Sequence, residues 1–337
     1  MKKHVNIPVF IPHYGCPNDC VFCNQRKITG KPCYEKNAVI SEINEALSTV
    51  DTENTEVELA FFGGSFTAIP EYEMLGLLEI SDIFLRSGKI SSVRLSTRPD
   101  AINTRVLEIL ASHGVKTIEL GLQSFSDSVL SASKRGHTAL DSENACRLIK
   151  KHGFNLIGQM MVGLPCSTVE DELYTANMIC SLGCDGARIY PTVVFPDTEL
   201  DQMKKRGEYA PLTTDDAVLR TSKVLKIFIN NDVPVIRIGL CSNETLDDNA
   251  YSENYHSAVG ELSLNAVYLD KMLELLKLES DLNGKAAIFT VAKGKISQAV
   301  GQKRANINAL LEKFPLNDIK IKENNQLKAF ELSLDLQ

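Results

Sequence analysis

Three cysteines near the N-terminus have the spacing of a metal-binding loop. Cys16, Cys20 and Cys23 form the pattern Cys-x3-Cys-x2-Cys directly after the apolar run of residues 5–12. Three thiolates on one tight loop can hold three irons of a [4Fe–4S] cluster and leave the fourth iron open, because such clusters are normally held by four cysteines. Zinc is the alternative, but zinc sites usually use paired Cys or Cys/His sets, and only Cys33 lies close by. The spacing therefore favours a cluster with one open iron.

The composition indicates a globular protein of a reducing compartment. A chain of 337 residues suits one large domain and a small one, and 44% apolar residues are ample for a core. A net charge of −7 argues against a surface coated in positive charge for nucleic acid, but it allows a local basic patch. Nine cysteines without a secretory signal, and an N-terminal apolar run broken by Pro8 and Pro12, predict a cytoplasmic protein with no membrane segment.

Short apolar runs alternate with amphipathic helical runs from residue 5 to about residue 240. This alternation indicates β/α units and a parallel sheet. Six or seven units fit an α/β fold with an open, partial (β/α)6-type barrel better than a closed barrel of eight strands, and a doubly wound sheet is the alternative. The predicted strands cover residues 5–12, 57–64, 93–99, 117–124, 155–165, 186–194 and 233–240.

Polar and glycine-rich motifs follow the ends of the predicted strands. They read GGSFT, STRPD, GLQS, GLP and YPT, and the cysteine loop follows the first strand in the same way. In barrels and open α/β sheets this C-terminal edge carries the site. Gly63 and Gly64 let the backbone come close to a ligand, while Ser96 and Arg98 offer a hydroxyl and a charge. The motifs together predict one site at this edge.

Three further polar residues are candidates for binding a ligand there. Gln123 ends the fourth predicted strand, and Arg135 follows twelve residues later. An arginine can clamp a carboxylate in bidentate fashion, although a solvated charge at a helix end is the simpler interpretation of Arg135. Gln159 lies in the fifth predicted strand, where a polar side chain needs a partner.

The motifs taken together resemble those of a known enzyme family. The stretches are FFGGSFT, STRPD, ELGLQSFSDSVL followed by KRGHT, QMMVGLP, and RIYPTVVFPDTEL followed by GEYAP. In this order, and with the aromatic Phe22 before the last cysteine, they are similar to the radical S-adenosylmethionine (SAM) enzymes of the Elp3-like group. The coproporphyrinogen-oxidase-like enzymes share part of the pattern. The resemblance covers about residues 5–240.

The resemblance implies cofactors and roles for individual residues. Cys16, Cys20 and Cys23 would ligate a [4Fe–4S] cluster whose open iron binds SAM. Reductive cleavage of SAM would give methionine and a 5′-deoxyadenosyl radical that abstracts a hydrogen from the substrate, with flavodoxin or ferredoxin as the electron donor. The residues expected at the SAM site are Gly63 and Gly64 beside the methionine amino group, Gln123 and Arg135 on SAM, Gln159 near the ribose, and Ser96 and Arg98 at the neighbouring strand end.

Three features depart from the family pattern. The first two cysteines are closer together than in most Elp3 proteins, and Ser96 replaces the usual Glu, so one ribose contact is expected to be lost. The chain ends at Gln337, which leaves no room for an acetyltransferase domain. Carboxymethylation of wobble uridine is therefore not expected of this chain alone. Whether Cys33 or Cys241 takes part in radical chemistry stays open.

The C-terminal segment resembles a different module. Its sequence AKGKISQAVGQKRANINALLEKFPLNDIKI is similar to the helix–loop–helix of KH RNA-binding domains, particularly those of NusA. In KH domains a GXXG loop clamps the nucleic-acid backbone. The corresponding loop begins at Gly301 and ends at Arg304, and Lys293, Lys295 and Lys303 would complete a basic patch. A small α+β cap over the barrel is the alternative.

The sequence thus predicts three parts and an enzyme. Residues 1–240 form the radical SAM barrel, residues 241–283 a linker and a helix, and residues 284–337 a KH-like α+β domain. The predicted function is radical modification of a structured RNA, either tRNA or rRNA. One alternative is a radical SAM enzyme acting on a small molecule such as a tetrapyrrole. Another is a non-catalytic RNA-binding protein with a structural metal site.

Overall fold

Seven parallel strands form the main sheet of the protein. A computed structural model describes residues 3–11, 16, 19–23, 35–240 and 256–337. Within these residues the strand order in the sheet follows the chain, from the first strand to the seventh. The strands are β1 (Lys3–Ile11), β2 (Thr55–Gly63), β3 (Ser92–Thr97), β4 (Val115–Gln123), β5 (Asn155–Val162), β6 (Gly186–Pro191) and β7 (Val235–Ile238).

Helices connect the strands and cover one face of the sheet. Every neighbouring pair is parallel, as β/α units require. A doubly wound sheet would reverse its strand order at a switch point, so that alternative is wrong, and the predicted partial barrel is confirmed. The helices are α1 (Lys36–Ser48), α2 (Glu71–Arg86), α3 (Thr104–Ser112), α4 (Asp127–Ala132), α5 (Ala139–Lys151), α6 (Val169–Ser181), α7 (Glu199–Lys205) and α8 (Thr214–Asn230).

The two faces of the sheet have different chemistry, which β2 illustrates. Val57, Leu59 and Phe61 point to the helix side and join the main hydrophobic core with side chains of α2. Glu58 and Phe62 alternate with them and therefore lie on the opposite face. In a strand buried on both faces we would expect a continuous apolar run. The polar side chains of the inner face show instead that this face surrounds a polar interior.

The sheet is curled, so that its inner face is concave. The guanidinium of Arg188 on β6 lies 5.5 Å from the ring centroid of Phe62 on β2. At about 4.8 Å between neighbouring strands, these two strands of a flat sheet would be about 19 Å apart. The contact is possible only because the sheet bends into a partial barrel.

A smaller unit with its own core follows the barrel. Helix α9 (Val259–Lys277) leads into β8 (Ala286–Ala292), α10 (Ile296–Val300), α11 (Ala305–Lys313), β9 (Asp318–Asn324) and β10 (Leu332–Leu336). The three strands pair in the order β10-β8-β9, with β9 parallel and β10 antiparallel to β8. We call residues 284–337, which contain β8 to β10, the C-terminal module. Its core includes Phe289, Ile307 and Leu310 together with Met272 of α9.

Helix α9 joins the barrel to the C-terminal module. It packs along α8, where Lys226 and Asp270 form an ion pair at 2.6 Å. A cavity of about 420 Å³ lies at this seam, between α8, β7, α9 and Phe330 of the module. Its lining contains none of the residues predicted to bind a cofactor or RNA. Among the helices of the described residues, none has the length and apolar character needed to cross a membrane.

Candidate cofactor site and barrel interior

The cysteine loop is attached to two other parts of the barrel. The amide of Cys23 donates to the carbonyl of Cys20 at 2.9 Å, which closes a tight turn. Between these cysteines, the amide of Val21 donates to the carbonyl of Ser133, and its carbonyl accepts from the amide of Leu200. These bonds hold the loop against the segment after α4 and against α7.

Arg135 contacts the cysteine loop through its side chain. Its Nη1 donates to the Sγ of Cys20 at 3.2 Å, and its Nη2 donates to the carbonyl of Gly121 on β4 at 2.7 Å. The local sequence fixes this position, because Thr138 caps α5 in a reciprocal capping box with Asp141. The sequence allowed a solvated charge here, but Arg135 is buried beside a predicted cluster ligand.

Arg98 is also buried, and it holds Arg135 in place. Its guanidinium forms two hydrogen bonds to the carboxylate of Asp100, at 2.9 and 3.0 Å, and donates to the carbonyl of Arg135 at 2.5 Å. Ser96 precedes it on the same face of β3 and is partly exposed. Most of the hydrogen-bonding capacity of the Arg98 guanidinium is therefore used by protein groups. Through Arg98, the motif STRPD holds the backbone of Arg135 in place.

The glycine-rich loop after β2 is tightly packed against β1. Gly63 has a φ of +119°, and a Cβ at this position would collide with the carbonyl oxygen of Ile11. The partly exposed Gly64 follows it. The hydroxyl of Ser65 then forms a hydrogen bond of 2.8 Å with that of Thr97, which connects the loops after β2 and β3. Only glycine fits at position 63, because both the backbone conformation and the space exclude a side chain.

Unpaired polar atoms next to the cysteine loop leave bonding capacity for a cofactor. Within the described residues, the Oε1 of Gln123, the Nε of Arg135 and the Nη1 of Arg98 are buried and have no hydrogen-bond partner. Gln123 adopts a φ of +65°, and a Cβ on Gly121 would come within 3.1 Å of the Gln123 amide and 3.3 Å of the Arg135 guanidinium. Buried polar atoms are normally paired, so these three atoms fit a site that binds a polar cofactor.

The charges around Cys16 are mixed. Burial raises the pKa of its thiol, and Cys20 and Asp100 add to this, while the positive charges of Arg98 and Arg135 act in the opposite direction. Thiolates are the form that binds iron, so the two guanidiniums are the neighbours that would support ligation. In the part of the chain that the structure describes, no three Cys, His, Asp or Glu side chains converge on one point as the ligands of a single ion would. Cluster ligands each bind a separate iron and need no such convergence.

The loop after β5 is held by buried polar contacts. The amide of Gly163 donates to Glu172 at 2.6 Å, and its carbonyl accepts from the hydroxyl of Tyr209 at 2.7 Å. Glu172 also binds the guanidinium of Arg220 on α8. These contacts hold the backbone of the motif GLP in place at the same edge of the sheet as the cysteine loop.

A hydrogen-bonded cluster fills the barrel interior, and we call its members the interior cluster: Glu58, Arg94, Glu119, Gln159 and Arg188. Arg94 bridges the two carboxylates, at 2.6 Å to Glu58 and 2.8 Å to Glu119. Arg188 and Gln159 each donate to Glu119 at 2.8 Å. Gln159 thus has a protein partner, while its predicted place near a ribose remains a prediction.

Sequence reasoning missed four of the five members of the interior cluster. Their signal is present, since Glu58, Arg94, Glu119 and Arg188 each interrupt an apolar strand at an inward position. A charged residue at the centre of a parallel strand must have a partner there. This pattern on four neighbouring or near-neighbouring strands could have indicated a polar interior.

Comparison with known proteins identifies the family. The family model for the Radical SAM superfamily matches residues 10–179, and the model for the Radical_SAM C-terminal domain matches residues 184–268. The chain belongs to the radical SAM superfamily. Members use a [4Fe–4S] cluster and SAM, and these are the cofactors of this radical SAM protein.

Its relatives support the predicted resemblance to the Elp3-like group. An uncharacterised protein of Methanocaldococcus jannaschii is 30% identical over 63% of this chain and 68% of its own length. A tRNA uridine(34) acetyltransferase of Methanocaldococcus infernus is 28% identical over 52% of this chain, and the match spans only 36% of that enzyme. The structure of the Elp3 protein of M. infernus, without its first 46 residues, superposes with a TM-score of 0.62 at 21% identity, covering 81% of this chain and 64% of that one.

The predicted RNA-binding residues of the radical SAM protein lie around one loop. The loop Gly301–Arg304 connects α10 and α11, and the side chains of Lys303 and Arg304 are exposed. Lys293 is exposed and Lys295 partly exposed at the turn that leads into α10. The structure therefore brings these predicted residues to the two ends of α10, while the KH-like character of the module remains a prediction.

The other cysteines are placed in different environments. Cys146 and Cys184 are buried in the main core, but Cys166 is exposed on the loop after β5. Cys33 and Cys241 lie outside the described residues.

Proposed function

We propose that this radical SAM protein modifies RNA, with the barrel carrying the cofactors and the C-terminal module binding the RNA. Two relatives are named for an action on tRNA uridine(34). Since each match spans only 36% of those enzymes, we take over the class of substrate, tRNA or another structured RNA, and not the acetyl transfer. In this proposal residues 1–240 form the catalytic unit, residues 241–283 the connection and residues 284–337 the RNA-binding unit.

The observation that carries the RNA proposal is the charge of the C-terminal module. Residues 284–337 contain nine Lys or Arg and five Asp or Glu, a balance of +4 in a chain whose total is −7. RNA binding depends on the neutralisation of phosphates by Lys and Arg. A cationic module on an acidic protein limits phosphate binding to one end of the molecule.

The loop between α10 and α11 supports phosphate binding by its shape. Gly301, Lys303 and Arg304 all have positive φ, at 79°, 51° and 62°. These conformations form a tight turn, in which the amide of Arg304 donates to the carbonyl of Gly301 at 3.0 Å. Asn306 fixes the loop, because its side chain donates to the carbonyls of Asn265 and Ala299 at 2.8 and 3.1 Å. The exposed side chains of Lys303 and Arg304 therefore project from a turn whose backbone is held in place.

At the other end of the molecule, the proposed roles follow from the cysteine loop. Cys16, Cys20 and Cys23 hold the cluster, Gln123 and Arg135 offer their unpaired atoms to SAM, and Gly63 and Gly64 admit its amino-acid end. When bound, the cluster and SAM supply a carbon radical that removes hydrogen from a substrate. The barrel positions both partners and excludes water. We expect flavodoxin or ferredoxin to supply the electron.

The first test asks whether the chain cleaves SAM. Anaerobically reconstituted protein is expected to contain about four irons per chain by the ligand pattern, to show an EPR signal that SAM perturbs, and to form 5′-deoxyadenosine with dithionite. Zinc in place of iron, or a cluster that never cleaves SAM, would leave a non-catalytic RNA-binding protein as the better account.

The second test asks whether the C-terminal loop binds RNA. Lys303→Glu with Arg304→Glu should lower the affinity for a tRNA pool by at least about tenfold, because two phosphate contacts are replaced by repulsion. SAM cleavage without RNA should be unchanged. The matched control is Lys320→Glu with Lys322→Glu, the same charge change on exposed side chains of β9. Equal losses for both pairs, or none for the loop pair, would refute the assignment and favour a small-molecule substrate.

A further inference from the structure

The interior cluster occupies the space that a substrate would enter, and Gln159 is its only member predicted to bind a cofactor. Phe10 and Phe62 each precede the last residue of their strand, so both lie near the edge that carries the cysteine loop. Phe62 lies beneath the guanidinium of Arg188, which belongs to the interior cluster. An unbroken set of contacts therefore leads from the cofactor edge of the barrel to its charged interior.

The charges of the interior cluster are balanced. Arg94 and Arg188 face Glu58 and Glu119 at 2.6 to 2.8 Å. The neighbouring Arg237 on β7 donates to the carbonyl of Gly239. Within the interior cluster, Glu119 repels an anion and the two guanidiniums repel a cation, and neither ion would find an unpaired counter-charge among these five residues. Arg237, which has no carboxylate partner among the described residues, lies one strand further along. The space in front of the interior cluster itself therefore suits an uncharged polar group.

One donor in the interior cluster lacks an acceptor. The Nε of Arg188 is buried and has no hydrogen-bond partner among the described residues, although its two terminal nitrogens bond to Glu119 and Tyr190. A buried donor without a partner costs free energy, and a carbonyl oxygen would satisfy it. Gln159 is fixed with its NH₂ on Glu119, so its own carbonyl oxygen remains as a possible acceptor beside this donor.

The aromatic side chains add a surface for a flat ring. The ring of Phe10 is 52% exposed on the concave face, and its centroid lies 6.4 Å from that of Phe62. Phe10 and Phe62 are paired in register, so both rings lie at the same depth of this face near the cofactor edge. Exposed aromatic rings of this kind stack with nucleobases.

We propose that Phe10, Phe62, Arg188 and Gln159 form a subsite for an uncharged planar ring with a carbonyl oxygen, which is a keto-bearing nucleobase. The ring stacks on Phe10, and its keto oxygen accepts from the Nε of Arg188. This inference rests on the proposed function, since it names the part of the RNA that enters the barrel. It also explains why a cluster of charged pairs is kept in the interior.

The test uses free nucleosides as probes of the full-length, cluster-reconstituted protein with SAM bound. Saturation-transfer difference NMR compares inosine with adenosine, which differ by a keto and an amino group on the same ring system, and includes uridine as a smaller keto base. We expect the keto nucleosides to bind about fivefold more tightly than adenosine, the effect of one hydrogen bond. Equal binding of inosine and adenosine, with no uridine binding, or no binding by any nucleoside overturns the subsite.

Two variants assign the effect to residues. Arg188→Lys keeps the charge but lacks Nε, and should remove the preference for keto over amino bases. Phe10→Leu, at an exposed position, should lower the affinity for every nucleoside at least about threefold, because the stacking contact is lost. Arg147→Lys on the exposed face of α5 is the control and should change neither quantity. A keto preference that survives in Arg188→Lys, with Phe10→Leu equal to wild type, refutes the proposal.

The result is separable from the RNA proposal itself. Retention of tRNA is measured on the same samples. Protein that retains tRNA but shows no keto preference refutes the subsite and keeps the proposed function. Protein that shows the preference but retains no tRNA supports the subsite and refutes the role of the C-terminal module.

Discussion

Arg135 connects the cysteine loop to the central strand of the barrel. Its two terminal nitrogens bond to the Sγ of Cys20 and to the carbonyl of Gly121, and Arg98 with Asp100 holds its backbone. A hydrogen bond and a positive charge next to a cysteine ligand stabilise the more negative, reduced state of a cluster. Arg135 is therefore placed to affect electron uptake as well as SAM.

We expect Arg135→Gln to lower the reduction potential of the reconstituted cluster. If the contact favours the reduced state by ~1 kcal/mol, the shift is about 40 mV to lower potential, given 59 mV for a tenfold change in a one-electron couple. A redox titration followed by EPR measures it. Arg105→Gln, an exposed arginine paired with Glu71, is the control. A potential equal to that of wild type would contradict a contact with the cluster ligand.

Cys20 is the most buried of the three cysteines and accepts from Arg135. Cys20→Ala removes one of the three proposed iron ligands and should reduce the iron content after reconstitution at least about fivefold, because clusters depend on the full set of thiolates. Iron and sulfide analysis measures the loss. Cys166→Ala, on an exposed loop residue, should keep full iron content. A normal cluster spectrum in Cys20→Ala would overturn the ligand assignment.

His137 should make the stability of the fold depend on pH. Burial, and next the positive charge of Arg135, lower its pKa from 6.5 to about 4. Between these values the unfolded chain holds a proton that the folded chain lacks, so the free energy of unfolding falls as the pH falls. From pH 7 to pH 5 this amounts to about 2 kcal/mol. Urea unfolding at both pH values measures the difference.

The variants of this experiment separate His137 from other titrating groups. His137→Gln should be less sensitive to pH than wild type by about the same 2 kcal/mol. His256→Gln, at an exposed residue, should retain the wild-type dependence. Identical pH dependence in all three proteins would show that His137 is protonated in the folded state.

At the scale of elements, the junction of β1 and β2 is the tightest point of the cofactor edge. Gly63 combines a φ of +119° with backbone contact to Ile11. Gly88 has a φ of +70°, but a Cβ added there would meet no atom of the described residues within 4 Å. Gly63→Ala must therefore separate the two strands, while Gly88→Ala meets conformational strain alone. The cysteine loop begins directly after β1, so the separation reaches it.

We expect Gly63→Ala to lower the unfolding free energy by ~3 kcal/mol and to impair cluster binding, and Gly88→Ala to lower it by only ~1 kcal/mol. Thermal unfolding and iron content of the two variants provide the measurement. Equal stability of the two variants, or full iron content in Gly63→Ala, would contradict this prediction. It would show that β1 can move away from β2 without a loss of stability or of cluster binding.

The alternation of strands and helices was sufficient to predict the barrel, but element ends were less certain. The predicted strand 155–165 ends at Val162, because Gly163 and Leu164 turn away although Leu164 is buried. The predicted strand 186–194 ends at Pro191. The predicted strand 233–240 is shorter in the structure and covers only Val235–Ile238. Tertiary packing, which no local pattern records, decides each case.

The site was predictable only where it is local in the sequence. The spacing of Cys16, Cys20 and Cys23 is a property of one short segment. The contacts of Arg98 with Arg135 and of Arg188 with Phe62 are different, because they join residues that are distant in the sequence and meet only in the fold. A sequence shows that Arg188 is charged, but it does not show that the guanidinium contacts Phe62 and Glu119 on two other strands.

At the scale of the whole molecule, charge is separated along the chain. The C-terminal module has a balance of +4, so the remaining residues carry −11 within the total of −7. If the protein acts on RNA as we propose, the acidic barrel would repel the RNA and the module would attract it, so the module would determine where the RNA first docks. Helix α9 packs against both units and keeps their positions related.

This separation predicts a modest dependence of RNA affinity on salt. If Lys293, Lys295, Lys303 and Arg304 each neutralise one phosphate of a single-stranded loop, the slope of log K against log salt is about −3, at about −0.7 for each contact. Lys303→Gln with Arg304→Gln should reduce it to about −1.4, because two contacts are lost. Lys320→Gln with Lys322→Gln should leave it near −3, since these two exposed lysines of β9 are not among the four predicted phosphate contacts. Filter binding over a salt series measures all three, and a slope that falls equally in both variants would mean that the whole module, and not the loop, contacts the RNA.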